Sequence, residues 1–219
     1  MRILYKYLPI EFAERFVQQG EVLFRSLSYF RAVEHAERGD EAEGIHIDAP
    51  DNGMTLETDN GVCVIGRLRY LRSINQERTF AFCCSTQLDE ELFVKFDSDA
   101  CVVIRDPENF FLKCKIAARH PFSLDASGLL HREVSYFTPN REAPLDITNS
   151  HNIPFLKHID FAEQCEYRAV FARPRGFKMT ERVVAPAFTF AEEIAAAKKH
   201  ERLLKLGNLN RFTELVFRR

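Results

Sequence analysis

The chain has no tryptophan, no C-x-x-C pair and no regular cysteine spacing, and none of its seven histidines stands in a metal-ligand pattern such as H-E-x-x-H. With these patterns absent, no bound metal is expected. Long apolar runs are missing too. Nothing approaches the ~18 residues of a spanning helix, and the opening Met1–Lys6 lacks the apolar stretch and cleavage site of a secretory signal, so a cytoplasmic protein without a membrane partner is expected. An excess of one charge is also lacking: 30 Lys and Arg face 32 Asp and Glu, net -2, which removes the overall basic field that draws proteins to nucleic acid. With nine glycines, nine prolines and no repeat or linker, one domain over residues 1–219 is expected.

What is present is phenylalanine, 20 of them against six tyrosines, which points to a core packed with rings. The six cysteines (63, 83, 84, 101, 114 and 165) sit mostly in apolar, strand-like contexts, as free thiols do in a reducing cytoplasm. Cys84 at a strand end, with His120, His131 and His158 elsewhere, offers a nucleophile in principle, but no local signature links them.

The pattern predicts a first helix over Pro9–Gln19 capped by Gly20, a strand at Val22–Arg25, and a long polar loop over Glu34–Asn60. Strands follow at Val62–Leu71, Thr79–Cys84 and Cys101–Arg105, with a short helix at Asp89–Phe96. A helix opens at Asp106-Pro107-Glu108 and buries Phe110, Phe111, Cys114 and Ala118. Leu130–Phe137 and Gln164–Phe171 read as strands. Thr189 and Glu192 form a capping box for a helix running to Leu206, and Phe212–Phe217 closes the chain as a strand. The expected fold is α+β, a mixed or mainly antiparallel sheet with flanking helices.

The segment Phe161–Phe171 is the most informative. On a strand, Gln164, Glu166 and Arg168 point to one face and Cys165, Tyr167, Ala169 and Phe171 to the other. Set beside Arg25 at the end of an early strand and Cys84-Ser85-Thr86-Gln87 at the end of a middle one, the order Arg, then Ser-Thr, then Gln-x-Glu resembles the R-S-E class of ADP-ribosyltransferases. The chain also resembles a broad family of bacterial and phage proteins of no assigned activity. That likeness runs through Tyr5-Lys6-Tyr7, Phe24-Arg25-Ser26, Tyr29-Phe30-Arg31 with Glu34, Arg38-Gly39-Asp40, and Phe155-x-Lys157-His158 leading into Glu166-Tyr167-Arg168. The chain departs from the transferase pattern in having Gln87 where a further serine would stand and no evident aromatic turn before Gln164.

The first resemblance implies an ADP-ribosyltransferase-like fold and NAD as substrate, in a toxin or phage-defence setting. Glu166 would be the catalytic carboxylate near the ribose, since nicotinamide departure passes through an oxocarbenium-like state. Ser85 would orient it, with Thr86 supporting the strand end, and Arg25 or Arg31 would hold the phosphates. Gln164, where a carboxylate goes with arginine acceptors, implies a protein amide or a nucleobase instead. Plainer roles stand beside these: Ser85 and Thr86 as a helix cap, Glu166 and Arg168 as mutual partners, Arg25 as partner of loop acids. Two other functions fit the same residues, a non-enzymatic binding module and a metal-dependent nucleic-acid-processing enzyme using Asp40, Glu43 and Glu166.

Overall fold

The computed structural model describes residues 2–37, 41–119 and 123–218. In chain order it contains β1 (Leu4–Leu8), α1 (Ile10–Gln19), β2 (Glu21–Ser26), α2 (Leu27–Glu37), β3 (Ile45–Asp48), β4 (Met54–Thr58), β5 (Gly61–Ile65), β6 (Arg69–Ser73), β7 (Thr79–Ser85) and α3 (Glu90–Lys95). Then come β8 (Ala100–Ile104), α4 (Pro107–Ala118), β9 (Leu129–Glu133), β10 (Ser135–Phe137), β11 (Leu156–His158), β12 (Glu166–Ala172), β13 (Thr180–Val184), α5 (Ala191–Ala196), β14 (Glu201–Lys205) and β15 (Thr213–Phe217). The fold is α+β with mainly antiparallel pairing, as expected; the pair β10–β11 is parallel.

An eight-stranded sheet carries the molecule, in the order β14-β2-β7-β1-β8-β15, with β12 on β7 and β9 on β12. Strand β7 is its hub. One edge pairs with β12 from Thr79 to Ser85. The other is shared by the end of β2, where Arg25 faces Ala81, and the start of β1, where Tyr5 faces Ser85. Alternation along β7 and β12 sorts the side chains. Phe80, Phe82, Cys84, Tyr167, Ala169 and Phe171 join the main core with Phe16, Phe110 and Phe111 of α1 and α4. Ala81, Val170 and Ala172 point the opposite way, into a smaller apolar cluster with Leu27, Ile153, Phe155 and Phe177. The stacked and tilted rings of Phe16, Phe24, Phe82 and Phe110 fill the first layer.

Helix α1 follows its sequence closely. Ala13, Phe16 and Val17 are buried and Gly20 closes it at φ 66, its N–H reaching Arg15 and Phe16 carbonyls. A side chain at position 20 would also lie 2.1 Å from the Gly207 carbonyl oxygen. Asp89 caps α3 by accepting from Glu91 N–H, and Asp106 caps α4 by accepting from Asn109 N–H.

Several expectations change. The polar stretch 34–60 holds the end of α2 together with β3 and β4. The segment 62–71 is divided between β5 and β6, and 130–137 between β9 and β10. The helix expected from the Thr189/Glu192 box ends at Ala196, and 201–205 is a strand, because this stretch pairs with the otherwise open edge of β2 and buries Leu204 in the main core. Strands β1 and β13 were not expected. Among the described residues no helix is long and apolar enough to cross a membrane.

Candidate functional site

The chemistry-bearing residues gather at one end of β7 and β12. Ser85 and Glu166 are directly opposite each other, and Tyr5 is opposite Ser85 on the other side. Residues paired across antiparallel strands project to the same face, so Tyr5, Ser85 and Glu166 form one row across three neighbouring strands. Cys83 and Arg168 make up the next row.

Glu166 sits at the centre of a buried ion cluster. Arg168 Nε donates to its Oε1 at 2.6 Å and Arg168 Nη2 to its Oε2 at 3.1 Å. Lys157 Nζ donates to Oε2 at 3.3 Å and to Gln164 Oε1 at 3.1 Å. From 125 residues away, Glu43 accepts from Arg168 Nη1 at 2.5 Å and Nη2 at 2.8 Å, and its Oε2 is 3.9 Å from Lys157 Nζ. Arg168 Nη1 also donates to the Pro154 carbonyl at 2.8 Å. All these groups are buried, Arg168 to 1% exposure. Two acids and two bases balance, which is the condition for burying charge at tolerable cost.

Burial alone would raise the Glu166 pKa, but the Arg168 and Lys157 charges outweigh it and hold the carboxyl well below the usual carboxylate range. The same charges work in reverse on Arg168, whose pKa burial would lower and whose neighbours Glu166 and Glu43 push well above its ordinary value. Tyr136 accepts from the Glu166 N–H at 2.8 Å, and burial first, helped by the Glu166 charge, pushes its phenol up to about 12.

Gln164 reaches this cluster by a route its sequence position does not announce. It ends a short 3-10 segment, Ile159–Gln164, and the strand begins only at Glu166. Between them Cys165 adopts a left-handed conformation, φ 44, pinned by Thr86, whose N–H and hydroxyl both donate to the Cys165 carbonyl at 2.8 and 3.2 Å. Gln164 is 3% exposed, and its Nε2 has no hydrogen-bond partner among the described residues. A buried amide donor left unsatisfied costs ~1–3 kcal/mol, which an ordered water or a ligand oxygen accepting from it would recover.

Ser85 is buried and accepts from the Gln87 N–H at 3.1 Å; the helix cap is Asp89 instead. Arg25 shares the Glu166 face, but its partner Ala81 is four residues from Ser85 along β7, roughly 13 Å at the rise of a strand. The Leu27, Phe155 and Val170 cluster packs on the intervening surface. Arg25 itself binds Glu201 at 3.0 Å and lies over the Tyr29 ring. Arg31 is buried on α2, where Nε donates to the Glu41 carbonyl at 2.9 Å and the guanidinium lies over Phe190. It therefore anchors the turn that carries Glu43. Ser85, Thr86, Gln164 and Glu166 thus come together, while Arg25 and Arg31 stand apart from them.

The two-residue spacing pairs Glu166 with Arg168, and Glu43 and Glu166 both stand in the sequence as candidate carboxylates. That one guanidinium joins the two, and that Lys157 and Tyr136 complete the group, is visible only in the fold; the motif Phe155-x-Lys157-His158 is the available signal for Lys157. Asp40 and His120 lie outside the described residues. With Arg168 and Lys157 already neutralising Glu43 and Glu166, a divalent ion at these carboxylates would compete with two tethered cations. Cys84 is a poor nucleophile, since burial raises its thiol to about 12. No family model, curated protein or solved structure matches the chain.

Proposed function

We propose that the Glu166 cluster is the catalytic centre of an ADP-ribosyltransferase-like enzyme that takes NAD as substrate and transfers its ADP-ribosyl group to a protein amide or nucleobase. The observation that carries this reading is the Ser85–Glu166 cross-strand pair with the unpartnered Gln164 amide beside it. The reaction needs an ionised carboxylate near the ribose while the C1′–N1 bond breaks. The bond electrons leave with nicotinamide, positive charge gathers on the ribosyl carbon and ring oxygen, and the acceptor then adds there and loses its proton. Arg168 and Lys157 keep Glu166 ionised. The Gln164 amide supplies a donor to the acceptor or to a ribose oxygen. NAD is consumed, so it is a substrate and not a resident cofactor.

A second reading has its own observation: both Glu166 oxygens already accept from Arg168 and Lys157, the arrangement of an ion lock in a non-enzymatic binding protein. One experiment separates the two. Purified protein incubated with NAD should release nicotinamide, and Glu166→Gln should lower that release by at least about a hundredfold, on the order of 2.7 kcal/mol of barrier, with an unchanged circular-dichroism spectrum. No release by the wild-type chain with NAD and amide or nucleobase acceptors favours the lock. Undiminished release by the folded variant removes Glu166 from catalysis.

A further inference from the structure

Three of the four charged groups in the cluster, Lys157, Glu166 and Arg168, come from one stretch of chain, and Glu43 arrives from 125 residues away. A guanidinium offers two edges for bidentate binding. Arg168 gives the edge formed by Nε and Nη2 to Glu166 on its own strand. It gives the edge formed by Nη1 and Nη2 to Glu43, whose Oε2 also lies 3.9 Å from Lys157 Nζ.

We propose that this second edge of Arg168, with Lys157, is a binding site for a phosphate group of the ligand, and that Glu43 occupies it as an internal competitor. The fork-to-carboxylate contact has the geometry with which arginine takes two phosphate oxygens. Charge supports exchange: the four groups sum to zero with Glu43 present and to one positive charge without it. The Gln164 Nε2, buried and unpartnered, adds a neutral donor in the same cluster. The turn bearing Glu43 has holds besides its carboxylate. It is held by Arg31 on the Glu41 carbonyl at 2.9 Å, by the Ile45 N–H on the Ala42 carbonyl at 2.8 Å, and by Gly44 at φ 74. At rest the anion site is therefore filled and neutral, and a ligand phosphate must displace Glu43.

Only the identification of that phosphate as part of NAD rests on the function proposed above; the site itself follows from the contacts. Glu43→Gln keeps the shape of the side chain and removes its charge. Titrated with inorganic phosphate, the variant should bind at least about tenfold more tightly than the wild type, ~1.4 kcal/mol, with a matching rise in melting temperature and a shift of the Arg168 Nε resonance. Acetate should bind more weakly than phosphate. Equal affinity of wild type and folded variant, tighter binding that leaves the Arg168 resonance unmoved, or an equal response to acetate would each overturn the proposal. So would a variant that stays unfolded in saturating phosphate, which would make Glu43 part of the framework. Nicotinamide release plays no part here, so either idea can fail alone.

Discussion

At the scale of single residues, Arg168 holds the cluster together. Removing a guanidinium from between two buried carboxylates leaves charges with no compensation. Arg168→Met should cost about 3–5 kcal/mol in urea unfolding, and less in a Glu43→Gln background, where one of the stranded charges is gone. A cost under about 1 kcal/mol, or the same cost in both backgrounds, would contradict the coupling described here. Part of this was readable in the chain. Glu166 and Arg168 are two residues apart, and strand geometry alone puts them on one face. Glu43 was not readable as a partner, because a contact across 125 residues leaves no local trace, and Lys157, nine residues before Glu166, lies on a separate strand whose only signal is the Phe155-x-Lys157-His158 motif. Tyr136 carried no signal at all, since its role is to accept from a backbone N–H on another strand.

At the scale of elements, helices with clear caps were legible. Gly20, Asp89 and Asp106 end or start α1, α3 and α4 as their residue types suggest. The C-terminal capping box misled because propensity lost to pairing: β14 completes the sheet against β2, and tertiary hydrogen bonding outweighs a weak local preference. The Q-x-E segment misled differently, since alternation predicts a strand through Gln164 and the chain instead turns at Cys165. A non-glycine residue held at φ 44 costs about 1–2 kcal/mol. Cys165→Gly should therefore raise stability by up to about 1 kcal/mol, and Cys165→Val should lower it by about 2 kcal/mol, β-branching being least compatible with that backbone. Equilibrium unfolding checks both. Destabilisation by glycine greater than about 1 kcal/mol would mean the turn is not strained.

At the scale of the whole molecule, two buried groups should make the fold sensitive to acid. His46 on β3 is 2% exposed and lies against the Phe137 ring, with neither ring nitrogen hydrogen-bonded among the described residues. Burial lowers its pKa below 6.5, opposed by Asp48 and aided by Arg72. An unfolded chain takes up a proton near pH 6.5 that the folded chain refuses, so this stability is complete above that pH and is lost as pH falls through the folded value. Glu166, also depressed, adds a contribution present above about pH 4.5 and lost only below it. The urea midpoint should fall between about pH 7 and pH 5.5, and His46→Leu should reduce that fall, with His131, whose pKa burial also lowers, keeping the remainder, while leaving the more acidic loss in place. An unchanged profile in the variant would assign the sensitivity elsewhere.

The same architecture places Tyr5, Ser85 and Glu166 in one row over three adjacent strands, and the functional account stands on that row. A crystal structure with a non-hydrolysable NAD analogue tests it most directly. The expected density puts the nicotinamide ribose against Glu166, within hydrogen-bond reach of the Gln164 amide. An analogue bound instead in the open groove beside Arg105, Arg211 and Glu214, with the Glu43–Arg168–Glu166 contacts untouched, would contradict it.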